Sequence, residues 1–354
     1  MTNAVTVAQG GSNNVTFRNR IINGACVIDQ RNAGAAVTAT TSYPYTLDRW
    51  QCGGSVNSKF TVQQSSTAPT GFVNSSLITS SSAYTVGAGE NFVFFQNIEG
   101  YNTADLMWGT ANAQTVTLSF WVRSSLTGTF GGSIQNSATN RSYPFTYTIS
   151  TANTWELETI TIPGDTSGTW LTTNGCGIIV RYGLGVGSTG SGTAGAWAGA
   201  NYLSATGATS VVGTNGATWY VTGVQLEAGT TASPFEYRQY GTELALCQRY
   251  FETNFPPGVA VGSISLPGFV STNSSTNSSG EASGVQFSVK KRAVPTIVIY
   301  HITNGNAGQV YRVSDAASVG ATAIHIGQSG IGFLQLASSS ANGYYWNYTA
   351  SAEL

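Results

Sequence analysis

Residues 115–123 read Thr-Val-Thr-Leu-Ser-Phe-Trp-Val-Arg, so that Val116, Leu118, Phe120 and Val122 fall on one side and Trp121 on the other. A period of two is the signature of a half-buried strand. The rhythm recurs outward from there. Phe60 and Val62 alternate in 59–64. In 154–163 (TWELETITIP), Trp155, Leu157 and Thr159 share one face while Glu156, Glu158 and Ile160 share the other. Two further runs, 177–183 (GIIVRYG) and 217–226 (ATWYVTGVQL), read as strands. In the second the apolar face changes side at Gly223, which predicts a bulge. Asn-Gly pairs beginning at Asn23, Asn174 and Asn215 predict tight turns. Strands punctuated by turns over residues 18–237 predict a sandwich or jelly roll.

Composition agrees. Charged residues make up 8% of the 354, against about 25% in an ordinary soluble protein, and the net charge is -1. An electrostatic nucleic-acid binder needs a basic excess, and here 14 basic residues face 15 acidic ones. A helical bundle needs lysine in bulk, whereas the chain has only Lys59, Lys290 and Lys291. Disorder is argued against by 8 Trp, 17 Tyr and 15 Phe. No apolar run reaches the roughly 18 residues of a membrane span, and 1–19 lacks a basic segment followed by an apolar one, so neither membrane insertion nor a secretory signal is expected. Cys26, Cys52, Cys176 and Cys247 form no Cys-x-x-Cys pair and His301 and His325 are the only histidines, so the thiols are expected free and buried and a structural zinc is not expected.

The organisation follows. Residues 1–17 read as a polar arm and 18–237 as the large β domain. Residues 240–252 (YGTELALCQRYFE) are the one helical pattern, with Leu244, Cys247 and Phe251 on one stripe, so 238–255 is a connecting helix. Residues 256–354 read as a smaller β-sandwich, with strands at 296–302, 309–313, 324–326, 332–336 and 344–348. Asn-Gly turns begin at Asn304 and Asn342, and 272–280 forms a low-complexity polar loop. The fold class is all-β: an N-terminal jelly-roll sandwich, one helix, and a C-terminal β-sandwich.

At this point the chain resembles the jelly-roll modules of tailed-phage and prophage fibre or receptor-binding proteins. The resemblance rests on 18–30 (RNRIINGACVIDQ), on Asp48, Arg49 and Trp50, on 225–229 (QLEAG), 234–238 (PFEYR) and 243–250 (ELALCQRY), and on the distal 292–300 (RAVPTIVIY). It implies a carbohydrate-binding-module-like jelly roll in a virion fibre, usually homotrimeric, made in the host cytoplasm and adsorbing to a bacterial cell-surface polysaccharide. Contact with other virion proteins would run through the arm. The location implied is a tail or baseplate fibre, with the capsid as the other possibility. No long shaft precedes the module, so an adaptor or a short-fibre position is implied.

Sugars present hydroxyls and apolar C–H faces, and flat rings cover the latter at low entropic cost. Three aromatic groups are therefore candidate glycan-binding sites. The first is Trp197 and Tyr202 in the Gly-rich stretch 187–210, whose other reading is a loop folded back to bury them. The second is Tyr101, Asp105 and Trp108, whose other reading places Trp108 in the core. The third is Tyr344, Tyr345 and Trp346, whose other reading is a strand buried between subunits. Trp50 and Trp219 are assigned to the core. No cofactor is expected. A structural calcium, common in carbohydrate-binding jelly rolls, would draw on Asp29, Asp48 and Glu227, although no ligand-dense loop is visible.

Two other functions compete: a structural decoration or adaptor of capsid or baseplate, and a glycan-degrading enzyme. Glu156 and Glu158 stand at i, i+2, roughly 6–7 Å apart, within the range of glycosidase carboxylate pairs. A solvent-facing side of an outer strand gives the same pattern. Gly185, Gly187 and Gly190 match a dinucleotide fingerprint but lack the following helix, and no acid appears before Glu227. A triad through His301, His325 and Asp315 has no nucleophile motif beside it. A non-enzymatic role is expected.

Overall fold

The computed structural model describes residues 18–274, 281–337 and 342–354. The arm expected at 1–17, and most of the polar loop at 272–280, lie outside the described residues.

Two antiparallel sheets face each other. The first sheet orders its strands β1 (Val37–Thr38), β3 (Phe60–Ser65), β4 (Ser75–Ser80), β13 (Thr218–Ala228), β6 (Val116–Ser124) and β9 (Glu156–Ile162). The second orders β2 (Trp50–Gly54), β5 (Asn91–Glu99), β10 (Cys176–Val186), β7 (Gly128–Asn136) and β8 (Ser142–Ile149). Apart from the β3–β4 and β7–β8 hairpins, successive strands of the two sheets trade between them, which makes a jelly-roll sandwich. The stretch at 115–123 behaves as its alternation requires: Val116, Leu118, Phe120 and Val122 are wholly buried between the sheets. Trp50 and Trp219 lie in the same core, and Trp50 stacks on Phe94 with ring centroids 4.8 Å apart. The bulge is at Gly223, where the β13–β6 register slips between Thr222 and Gln225. Its φ is +61°, and a Cβ there would stand 2.6 Å from the Phe72 ring, so the position requires glycine. The slip lets Trp219 and Val221 before it, and Val224 and Leu226 after it, all enter the core.

The helix α1 (Tyr240–Gln248) is shorter than its periodicity suggests. Arg249 and Tyr250 leave it to reach Glu99: the guanidinium donates to both carboxylate oxygens at 3.0 and 2.6 Å, and the Tyr250 hydroxyl donates at 2.6 Å. Phe251–Thr253 then forms β14.

The smaller β unit holds β14, β15 (Val270–Ser274), β16 (Glu281–Gln286), β17 (Thr296–His301), β18 (Gln309–Arg312), β19 (Ser318–Gly327), β20 (Gly330–Leu336) and β21 (Asn342–Ser351). Its two layers are parts of one sheet that curls round. β21 pairs with β15 on one side and with β18 on the other, so the path β21-β15-β16-β20-β19-β18 closes on itself. Asn342 and Gly343, expected in a turn, belong to β21 because Asn273 and Ser274 pair with them.

The segments that carried the resemblance meet in space. The Glu236 carboxylate accepts from the Asn19 amide at 2.8 Å, Arg238 donates to the Asn19 carbonyl, and Glu243 accepts from the Asn23 amide. Asp48 accepts from the backbone and side-chain nitrogens of Gln30, both at 2.7 Å. Arg49 pairs with Glu353 and lies 3.6 Å from the Tyr250 ring centroid. These residues clasp the start of the sandwich to α1 and to the small unit.

Candidate functional site

The outer face of the second sheet is where polar and aromatic side chains converge around a recess. Along β10, Ile178, Val180, Tyr182 and Leu184 enter the core. Alternation therefore turns Ile179, Arg181 and Gly183 outward. Register places Phe95 of β5 and Ser133 of β7 on either side of Arg181. The 187–210 stretch lies across this face. Its residues Ser191–Gly192 (β11) and Ser204–Ala205 (β12) pair in parallel. Gly131 and Gly183, opposed across β7 and β10, make the seat: a Cβ on either would stand 2.5 or 2.6 Å from Ser204 Oγ. Gln135 Nε2 ties the stretch down by donating to Asn201 Oδ1 at 2.8 Å and to the Tyr202 carbonyl at 3.0 Å. Leu203 completes the attachment by packing with Val93, Phe95 and Ile179.

Beside this cover a cavity of about 250 Å³ opens, lined by Tyr43, Asn91, Phe95, Thr139, Arg181, Asn201 and Leu203. The Arg181 guanidinium lies 4.6 Å from the Phe95 ring centroid. Burial lowers its pKa to about 10, which leaves it charged at neutral pH. The Tyr43 ring meets Phe95 edge-on at 5.9 Å, and its hydroxyl donates to Asn91 Oδ1 at 3.3 Å. Under the cover, Ser133 Oγ, Gln135 Oε1 and Ser204 Oγ are buried without a protein partner among the described residues. Rings, amides, a hydroxyl and a cation around one recess can hold a polar ligand that also has an apolar face.

The predicted residues fare unequally. Trp197 folds back, donating from Nε1 to the Pro163 carbonyl at 2.7 Å and meeting Trp108 and Trp170 edge-on at 5.4 and 5.5 Å. Two candidate groups thus join in one cluster at the end of the sandwich, but Trp108 is buried, which corrects its assignment as a contact residue. Trp197 keeps part of its surface. Tyr202 lies against the Gly192 backbone and is half-buried. Tyr101 is exposed, and Asp105 nearby pairs with Arg20 at 2.5 Å. Tyr344 and Trp346 are also corrected: both are wholly buried inside the closed small unit of one chain, with no partner subunit needed to cover them. Tyr345 points the other way, against Phe269 and Tyr311.

The candidate calcium ligands are each taken by protein donors and do not fit a cation. Asp29 accepts from the amides of Asn32 and Gly34, Asp48 from Gln30, and Glu227 from Ser233 at 2.8 and 2.6 Å. Glu156 and Glu158 lie opposite Val122 and Phe120, so they face the gap between the sheets and not the solvent side. Glu156 caps the amides of Ser150 and Thr151. Burial, and then Glu156, raise the pKa of Glu158. Asp315 is bound to Arg312, whereas His301 bonds to Thr303 and Ser318. Burial lifts the thiols of Cys26 and Cys176 to about 11 and Cys52 to about 12, so none is a ready nucleophile.

A second surface lies on the outer face of the first sheet. Phe72, Trp121, Leu157, Phe235 and Tyr237 line a groove of about 560 Å³, and Leu157 and Tyr237 are more than half exposed.

Sequence reading missed Arg181, Tyr43, Phe95 and Asn91. One signal was available: a single arginine in an otherwise apolar strand, GIIVRYG, at an outward position of the alternation.

No family model matches the chain, and no curated protein does. Among solved structures, the enzymatically active domain of bacteriophage CBA120 tailspike protein 4 is similar at 13% identity and a TM-score of 0.32, over 60% of this chain and 22% of that one. A putative sugar binding protein from Bacteroides thetaiotaomicron is similar at 11% identity and 0.35, over 60% of this chain and all of that one (100%). A family 11 carbohydrate-binding module from Clostridium thermocellum, in complex with a mixed-linked tetrasaccharide, is similar at 10% and 0.28, over 52% and 91%. With these TM-scores below 0.5, the architecture stands on its own strand pairing.

Proposed function

We propose that the chain is a non-enzymatic, glycan-binding protein of a virion, displayed as a homotrimer that adsorbs to a bacterial surface polysaccharide. The observation that carries the reading is the recess on the second sheet, where Tyr43 and Phe95 supply rings and Asn91, Thr139, Asn201 and Arg181 supply polar groups. The rings would cover a sugar's C–H face and the amides would read its hydroxyls. One such site binds weakly, and threefold display raises avidity through effective concentration. The virion role is supported by the sequence signatures, whose residues form the clasp between sandwich, helix and small unit.

Labelled protein applied to a panel of bacterial strains tests this. It is expected to coat strains with an intact surface polysaccharide, to spare matched strains lacking it, and to scatter light as three chains of 36.9 kDa. Coating regardless of polysaccharide contradicts the reading, as does a monomer at micromolar concentration. Release of reducing ends that stops in Glu156→Gln would make the protein an enzyme instead. A decoration or adaptor role is the second reading, favoured by the apolar groove on the first sheet, since exposed apolar patches mark protein contacts.

A further inference from the structure

We propose that the cavity beside Arg181 receives a carboxylate-bearing sugar, so that the polysaccharide recognised is an acidic one. This rests on the glycan-binding reading and narrows it to a substrate class.

The argument starts from how the chain treats its other arginines. Each of them donates a hydrogen bond to a protein oxygen. Arg141 grips Asp165 at 2.7 and 2.6 Å, and Arg249 grips Glu99. Arg292 reaches the carbonyls of Asn174, Ala352 and Glu353, and even Arg123, which forms no ion pair among the described residues, donates to the Asn153 carbonyl at 2.8 Å. Arg181, among the described residues, makes neither an ion pair nor a hydrogen bond; its Nε is buried without a partner, as are those of Arg18, Arg20, Arg31 and Arg49, but those four have other nitrogens that are bonded. The residue is half-buried: an unpaired buried Nε is costly, while the end of the guanidinium stays open to a partner from outside. Here it stands at the middle of a sheet face, opposite Phe95 and Ser133, with its head in a cavity that no acidic side chain lines.

The geometry selects the ligand. A guanidinium is a planar fork that matches a carboxylate through two parallel hydrogen bonds. The Phe95 ring lies against the head on one side, 4.6 Å from its centroid. One cation, with no second lining the cavity among the described residues, balances a singly charged carboxylate better than a phosphate of nearly two charges. Tyr43 offers a ring wall, and Asn91, Thr139 and Asn201 surround the remaining opening with groups that bond hydroxyls. The volume, about 250 Å³, is smaller than the roughly 300–1,000 Å³ of pockets for drug-sized ligands. It suits one sugar unit of a longer polymer.

The test is calorimetry on the full chain with uronic-acid-containing oligosaccharides, their carboxyl-reduced neutral counterparts, and a sugar phosphate. Wild-type protein is expected to prefer an acidic oligosaccharide over its reduced partner by about tenfold or more, with the preference shrinking as salt rises. Arg181→Met keeps the packing on Phe95 and should abolish the preference, so that the acidic oligosaccharide binds no more tightly than its reduced partner does. Arg181→Lys keeps the charge without the fork and should retain only part of it. Thermal melts check that both variants fold. If the Met variant does not, the wild-type preference and the Lys variant still decide. Equal binding of acidic and neutral sugars leaves the glycan reading standing and overturns this proposal. A preference that survives in Arg181→Met, or stronger binding of the sugar phosphate, overturns it as well. Binding of no sugar at all overturns both readings.

Discussion

Asp48 and Arg181 are charged side chains set on opposite terms. Asp48 is fully buried, and burial raises its pKa to about 6, opposed in part by Arg31 and by the hydrogen bonds from Gln30. The unfolded carboxyl titrates near 3.9. Between those values the folded state binds the extra proton, so this group's contribution to stability is fullest below about pH 4 and is lost as pH rises through about 6. The cost at neutral pH is on the order of 2–3 kcal/mol. Asp48→Asn removes it, so the denaturant midpoint of the variant should gain on the parent's between pH 4 and pH 7. A constant difference across that range contradicts the assignment. The environment of Asp48 is not legible locally, and for Arg181 only its outward place in an apolar strand is. Asp48 read as a motif member and as a calcium ligand because burial depends on Gln30, Arg31 and the small unit folding around it.

Alternation located β3, β6, β9, β10 and β13 because a two-residue period survives whatever packs above it. It could not say which side faces inward on an edge strand, and Glu156 and Glu158 show why. Beyond the last strand the gap between sheets is open to water, so carboxylates occupy inward positions there while Leu157 lies outside. The 187–210 stretch was recognisable as a functional-length loop. Its seat was not, since Gly131 and Gly183 meet only when β7 and β10 pair. Gly183→Val puts a branched side chain where Ser204 sits. It should lift the stretch from the sheet at a cost of about 1–3 kcal/mol and raise protease cleavage within 187–210. Unchanged cleavage would show that the seat does not hold it. The aromatic-rich β21 misled for a similar reason: Tyr344 and Trp346 look like a sticky patch in sequence, and closure of the sheet through β18 hides them.

For the molecule as a whole, the two β units are joined by buried charge. Glu353 accepts from Arg31 at 2.6 Å and pairs with Arg49, which is almost wholly buried. Glu353→Ala strands both arginines. Breaking such a pair costs about 3–5 kcal/mol, read as a lower denaturant midpoint, whereas a loss below about 1 kcal/mol would mean the junction is held by its other contacts, those of Arg249 and Tyr250 with Glu99 and of Arg292 with Asn174. The fold class could be read from the sequence, and residues of the signatures that suggested a phage fibre help to build this joint. The proposed ligand face could not, because it is assembled from the β1–β2 segment, β5, the β7–β8 turn, β10 and a loop far apart in the chain. The account's central claim is that the second sheet's outer face meets polysaccharide. Hydrogen exchange with and without purified surface polysaccharide tests it directly. Slowed exchange confined to 43, 91–95, 181 and 199–204 is the predicted result. Slowing at 70–72 and 232–237 on the first sheet, with the second sheet unchanged, would contradict it.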